Sequence, residues 1–164
     1  MKKIIVISDT HYPLYNIPEN FFKLFLNDTY DGIIHCGDFT DYKLFERLKK
    51  IKIPLYIVLG NNDNSRVFVS NFSKELIINV ENKLIGITHG FGFKNVLQNV
   101  IIKFKKKQLD CVCFGHTHII CNTIFKKCLY FNPGSLSGVR TGKKTYGILY
   151  IEKNFINGEI KYIK

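Results

Sequence analysis

The chain opens with an apolar run at residues 4–7, set between Lys2-Lys3 and the polar Ser8-Asp9. Four consecutive apolar residues, all β-branched, have no helical period and predict a buried strand. Residues 18–27 follow, where "FFKLFL" supplies an apolar face and predicts a helix. The alternation then repeats: residues 32–35 predict a second strand, 42–50 a second helix and 54–59 a third strand. A βαβαβ order argues for parallel strands joined by crossover helices.

Beyond residue 64 the pattern changes. Residues 75–80 and 84–88 predict two strands of a hairpin that turns at Glu81-Asn82-Lys83. Residues 94–107 predict a helix, with Val96, Leu97, Val100, Ile101 and Phe104 close to one stripe. A strand is expected at 110–114. Residues 119–125 and 128–131 are placed to pair across Lys126-Lys127, and 145–151 with 156–163 to form a terminal hairpin. No repeat, linker or low-complexity segment interrupts the pattern. The chain therefore reads as one α/β domain over residues 1–164, with two sheets, and is long enough to bury its own core.

Apolar residues make up 46% of the chain, which places it among globular proteins. No apolar run approaches the roughly 18 residues that span a bilayer. The run at 4–7 is also too short for the core of a signal peptide. A cytoplasmic protein with no membrane partner is expected. The five cysteines form no CxxC pair and sit mostly in strand-like runs, so they read as buried, reduced thiols. The net charge of +11 comes from 21 lysines and 3 arginines against 13 acids. A basic balance invites a nucleic-acid reading. The lysines are scattered, however, and the one dense cluster, Lys103 with Lys105–Lys107, lies on a predicted helix as a solvated face. No basic patch is interleaved with aromatics that would stack bases. Specific nucleic-acid binding is not expected.

The polar residues are more informative, because ligands in open α/β sheets bind beyond the carboxyl ends of strands. The first strand is followed by Ser8-Asp9-Thr10-His11, the second by Cys36-Gly37-Asp38 and the third by Gly60-Asn61-Asn62-Asp63. The strand at 84–88 runs into His89-Gly90, and that at 110–114 into Gly115-His116-Thr117-His118. Any one of these features is commonplace. Five of them at five strand ends are not. Of the five histidines only His35 falls outside the set, and it reads as structural or as a support behind the ligands. Two carboxylates, four imidazoles and one amide are too many donors for one ion but suit two divalent ions sharing a carboxylate. Mixed imidazole and carboxylate donors favour Mn, Fe, Ni, Co or Zn over Mg or Ca, and the lack of cysteine argues against a closed structural zinc site. Glycines beside the ligands allow sharp turns and leave room for a substrate.

These motifs resemble those of the calcineurin-like metallophosphoesterase superfamily. D-x-H (Asp9, His11), G-D (Gly37, Asp38), G-N-x-D (Gly60, Asn61, Asp63), H-G (His89, Gly90) and G-H-x-H (Gly115 to His118) run in the family's order from residue 4 to about 150. The short length and "NPGS" at 132–135 are similar to its small bacterial and archaeal phosphodiesterase branch, whose fold the retromer scaffold subunit shares. The resemblance implies a four-layer sandwich of two mixed β-sheets flanked by helices. It implies two divalent transition-metal ions, Mn first and Ni, Fe, Co or Zn as alternatives. Asp9, His11 and His118 would hold one ion, Asn61, His89 and His116 the other, and Asp38 would bridge. The implied reaction is in-line attack of a hydroxide held between the ions on a small phosphodiester or monoester, with His11 partly facing the phosphate. A homodimer or homotetramer is implied.

Two positions depart from the family pattern. Many relatives carry histidine where this chain has Asn62, and an amide can bind a phosphoryl oxygen but cannot protonate a leaving group. Phe91 stands where relatives often have histidine. "NPGS" is either a turn near the site or a plain turn. Two rival readings are carried forward: a catalytically weak metal-binding scaffold of the same fold, and a nuclease, which only the basic charge supports.

Overall fold

The computed structural model describes residues 1–27, 29–63 and 65–163. In chain order its elements are β1 (Lys2–Ile7), α1 (Glu19–Asn27), β2 (Gly32–His35), α2 (Tyr42–Lys49), β3 (Leu55–Ile57), α3 (Arg66–Asn71), β4 (Glu75–Val80), β5 (Lys83–Thr88), α4 (Val96–Phe104), β6 (Cys111–Cys113), β7 (Cys121–Phe125), β8 (Cys128–Asn132), β9 (Thr145–Glu152) and β10 (Phe155–Tyr162). They form two five-stranded mixed sheets, ordered β10-β9-β1-β2-β3 and β4-β5-β6-β8-β7.

The layering follows from side-chain alternation along the strands. In β1, Ile4 and Val6 point between the sheets, where they join Ile34, Ile85, Ile87, Cys113, Phe131 and Leu149. Ile5 and Ile7 point the other way, into a core shared with Phe21, Leu44, Leu48 and Phe68 of α1, α2 and α3. The second sheet buries Val112 and Tyr130 under Val96, Val100 and Phe104 of α4. A strand buried on both faces reads as a continuous apolar run, which is what residues 4–7 are. The result is helices, sheet, sheet, helix: the expected four layers. No helix among the described residues is long and apolar enough to cross a membrane. The strand expected at 4–7 is the inner part of β1.

Register brings the strand ends together. In the first sheet β1, β2 and β3 are parallel, with Ile7 opposite His35 and His35 opposite Ile57. In the second, β5 and β6 are parallel, with Ile87 opposite Cys113. The segments after β1 and β2 are laced by Asp9 N–H to Gly37 O at 3.0 Å and His11 N–H to Asp38 O at 2.9 Å. Gly115 N–H donates to His89 O at 3.0 Å and ties the other two.

Several elements differ from expectation. Helix α3 was not predicted, because only Phe68 is buried and a single apolar contact leaves no helical period; Ser65 caps the helix by accepting from Phe68 N–H. Strand β3 ends two residues early, since Val58 only bridges to Ser73. Helix α4 is shorter at both ends, beginning after Asn95 in the left-handed conformation.

Phe131 links the two sheets tightly. Its buried ring lies over Gly147 of β9 and Gly158 of β10, and a Cβ at either glycine would overlap it. Gly147→Ala is expected to destabilise the protein by about 1–3 kcal/mol through overpacking, read as a lower midpoint in urea with an unchanged slope.

Candidate metal centre

All seven candidate ligands lie together at the carboxyl ends of the strands. Asp9 is fully buried. Its Oδ2 accepts from Ser8 Oγ at 2.6 Å and from His116 N–H at 3.0 Å. Its Oδ1 faces three imidazoles: His118 Nε2 at 3.2 Å, His89 Nε2 at 3.9 Å and His11 Nε2 at 4.0 Å. Asp38 Oδ2 sits between His89 Nε2 at 3.5 Å and His11 Nε2 at 3.6 Å. Asn61 Oδ1 lies 3.1 Å from His89 Nε2 and 2.9 Å from His116 Nδ1. The rings of His11 and His118 stack at 5.2 Å, and those of His89 and His116 meet edge-on at 5.1 Å.

Three imidazoles are aimed by backbone carbonyls. A carbonyl only accepts, so the ring nitrogen facing it must carry the proton. His89 Nδ1 donates to Cys36 O at 2.7 Å, His118 Nδ1 to Val139 O at 3.1 Å, and His116 Nε2 to Gly92 O at 2.8 Å. In each case the other nitrogen is turned into the cluster. This is how proteins fix the tautomer of metal-binding histidines.

The cluster is incomplete as a purely protein structure. Among the described residues, Asp9 Oδ1 and His11 Nε2 are buried polar atoms with no hydrogen-bond partner. A buried carboxylate oxygen without a partner is costly. A cation beside it resolves that cost, and the surrounding imidazole lone pairs suit a transition metal. Asp9, His11 and His118 form one group with ligand atoms within 4.8 Å of one another, and Asp9, Asp38 and His89 form another. Asp9 thus approaches both groups, which the sequence reading gave to Asp38 alone.

The backbone is held in unusual conformations here. Asp9 (φ 51°), His11 (45°), Asp38 (58°), His116 (70°) and His118 (61°) are all left-handed. Such residues are uncommon and cost roughly 1–3 kcal/mol each. Five at one place signal that position, not stability, chose these conformations. Two glycines make room: a Cβ at Gly60 would overlap the Asp38 carboxylate, and one at Gly115 would overlap Ser8 Oγ.

Electrostatics separates the members. Burial pushes Asp9 up to about 6, although the His89 charge and the Ser8 hydrogen bond oppose it. Burial also acts to raise Asp38, but the His89 hydrogen bond and charge and two donations from Asn62 outweigh it and hold the carboxyl below its usual range. Burial acts to lower His89, yet its hydrogen bond to Asp38 and the two carboxylate charges raise it to about 9. Burial lowers His118 to about 4 and also lowers His11.

Further residues support the ligands from behind; Asp63, Asn132, Ser135 and His35 stood within or beside the sequence motifs, and Ser137 did not. Asp63 accepts from the N–H groups of Asp38 (2.7 Å), Thr40 (2.7 Å) and Gly60 (2.8 Å), and so fixes the loop that holds Asp38. Ser135 and Ser137 both donate to Asp9 O. Asn132 Nδ2 donates to Gly115 O at 2.9 Å, so "NPGS" braces two ligand loops from behind. His35 is fully buried; Gly37 N–H donates to its Nδ1, and its Nε2 meets Thr10 Oγ1. Asn62 does not point freely into the site: its N–H and Nδ2 donate to the two oxygens of Asp38 at 2.8 and 2.6 Å. A hollow of about 720 Å³ lies at the opposite ends of β6 and β8, between Phe104, Leu109 and Lys126, and contains none of these residues.

Known proteins are similar to this chain in sequence and in fold. A phosphodiesterase of Methanocaldococcus jannaschii is 30% identical over 161 residues, covering 92% of this chain and 94% of its own. A solved structure described as a novel archaeal phosphodiesterase superposes with a TM-score of 0.78 at 28% identity, covering 97% of this chain and 99% of its own. Vacuolar protein sorting 29 from Entamoeba histolytica, solved with Zn²⁺, shares the fold with a TM-score of 0.81 at 18% identity, covering 98% of both chains. The family model described as the calcineurin-like phosphoesterase superfamily domain matches residues 1–154, nearly the whole chain, and the protein therefore belongs to that superfamily.

Proposed function

We propose that the protein is a phosphodiesterase that holds two divalent transition-metal ions. Asp9, His11 and His118 would bind one ion, Asn61, His89 and His116 the other, and Asp38 would bridge them, with Asp9 Oδ1 close enough to both groups to share that task. The observation that carries this reading is the buried, unpartnered Asp9 Oδ1 within 4.0 Å of three imidazole nitrogens. Manganese is the first candidate, and Ni, Fe, Co and Zn suit the same donors.

The ions, when bound, would supply a hydroxide nucleophile near neutral pH and neutralise phosphate charge. The chain's own part is to place them and the substrate. Cys36, Val139 and Gly92 carbonyls fix three imidazoles so that no ligand must reorient during turnover. Asp38 is held as an anion by Asn62 and His89. Asn62 keeps one amide proton beyond the one given to Asp38, and that proton can meet a phosphoryl oxygen. The five free cysteines fit a reducing compartment, and so the cytoplasm.

Metal uptake should release a proton. His89, raised to about 9 without metal, is protonated at pH 7.5 and must become neutral to bind an ion. Affinity therefore rises with pH up to about 9 and falls as the pH drops below that value. Asp9, at about 6, adds a second proton to displace only below pH 6. Calorimetry at pH 7.5 in buffers of different ionisation enthalpy is expected to show the His89 proton released in addition to the one a metal-bound water would lose, and His89→Gln to lower the total by about one.

The proposal is tested with chelator-stripped protein and single additions of Mn, Ni, Co, Zn or Mg, assayed on bis-p-nitrophenyl phosphate and p-nitrophenyl phosphate. Metal-restored turnover favouring the diester is expected. Two bound ions and no turnover with any metal would favour the scaffold reading, to which the sorting-protein neighbour lends its fold.

A further inference from the structure

Two hollows are lined in part by candidate ligands. One, of about 260 Å³, is lined by His118, Ile119, Ile120, Lys143, Tyr162 and two threonines. The other, of about 280 Å³, runs from Asn61 and His89 to Lys74, Phe91 and Lys103. They abut different ligand groups: His118 lies with Asp9 and His11, whereas His89 lies with Asn61 and His116. A phosphorus atom held between the groups would have one hollow next to each of them. Each falls just short of the roughly 300 Å³ at which complete small-molecule sites begin, and together they lie inside that range. Two half-sized hollows suit a molecule with two arms. A phosphomonoester would fill only one.

The hollows differ in chemistry. Ile119 and Ile120 are 63% and 43% exposed, and Tyr162 is 57% exposed beside them. Large apolar side chains left open next to a polar centre favour an apolar group. In the other hollow, Lys103 pairs with Glu75 at 2.9 Å, and Lys74 makes no ion pair among the described residues. The first hollow carries one lysine, Lys143, and this one carries two, so an arm that departs as an alkoxide or phenolate is better placed against the pair.

Resting on the phosphodiesterase reading, we infer that the substrate is a phosphodiester with two substantial arms. A retained aryl or other apolar arm lies against Ile119, Ile120 and Tyr162, and a polar or anionic leaving arm lies toward Lys74 and Lys103. One water is consumed. Its oxygen bonds to phosphorus, the P–O bond to the leaving arm breaks, and its protons end on the leaving oxygen and in solvent. The products are a phosphomonoester of the apolar alcohol and the free second alcohol.

The test uses metal-loaded protein and two substrates with the same leaving group, bis-p-nitrophenyl phosphate and methyl p-nitrophenyl phosphate, which differ only in the retained arm. In the double variant Ile119→Ser/Tyr162→Ala, the ratio of kcat/KM for the diaryl to the methyl aryl ester is expected to fall about tenfold, mostly through KM. Both side chains are exposed, and circular dichroism checks that the fold is kept. An unchanged ratio with turnover intact, or an equal loss on both substrates, overturns the two-arm inference and leaves the phosphodiesterase reading standing. No turnover of either substrate by the parent protein with any metal overturns that reading, and this inference with it.

Discussion

Asp38→Ala is expected to abolish metal-dependent turnover of bis-p-nitrophenyl phosphate, by at least about 10³-fold, well beyond the roughly 10–100-fold typical of partners behind the ligands. The reason is position. Asp38 Oδ2 lies 3.6 Å from His11 and 3.5 Å from His89, and each histidine belongs to a different group of ligands. No other carboxylate except Asp9 reaches both groups among the described residues. The loss should not come from unfolding, because the loop is tied through the Asp38 backbone, whose N–H donates to Asp63. Alanine is strained at φ 58°, so Asp38→Asn is the companion variant: asparagine tolerates that conformation and keeps the shape while removing the charge. Both variants should melt within a few degrees of the parent and bind less metal. A variant at Asp38 that keeps full rate at matched metal occupancy would sink the bridging assignment.

The second large effect concerns Asn62. General acid catalysis is typically worth about 10²–10⁴-fold, and an amide supplies none at neutral pH. The rate should therefore depend steeply on the leaving-group pKa, with p-nitrophenyl esters strongly preferred over phenyl and alkyl esters. Asn62→His should flatten this dependence and raise the rate on diphenyl phosphate relative to the p-nitrophenyl diester by about 10²-fold. The substitution also removes a 2.6 Å hydrogen bond to Asp38, so the absolute rate on the activated ester is expected to drop while the poor leaving group gains. The Asn62 N–H donation to Asp38 comes from the backbone and survives. A leaving-group slope identical in parent and variant would show that position 62 does not govern departure of the leaving group.

Much of the fold was legible because its strands are buried on two faces. Residues 4–7 are apolar throughout for that reason, as are Ile33 and Ile34 in β2, and the two-residue alternation that assigns Ile4 and Ile5 to different cores appears only once both sheets are in place. Helix α3 was illegible because a single buried residue, Phe68, leaves no periodic pattern. The candidate ligands stood out because each is a polar side chain at the end of an apolar run. What orients them did not stand out. The carbonyls of Cys36, Gly92 and Val139 are backbone groups that every residue possesses, and only the fold brings them against three imidazoles. Ser137 is an ordinary loop residue in the sequence, and Asp63 and Ser135, although they sit in motifs, show what they hold only once the segments after β1, β2, β3 and β8 are laid side by side.

The central claim is that two ions act together in one site. Its most direct test is a titration of metal-free protein with Mn²⁺, in which bound metal per chain and bis-p-nitrophenyl phosphate turnover are measured on the same samples. Turnover should stay low through the first equivalent and rise with the second, and Asp38→Ala should bind less than two and stay inactive. Full turnover at one ion per chain, or two ions bound with no turnover, would contradict the account.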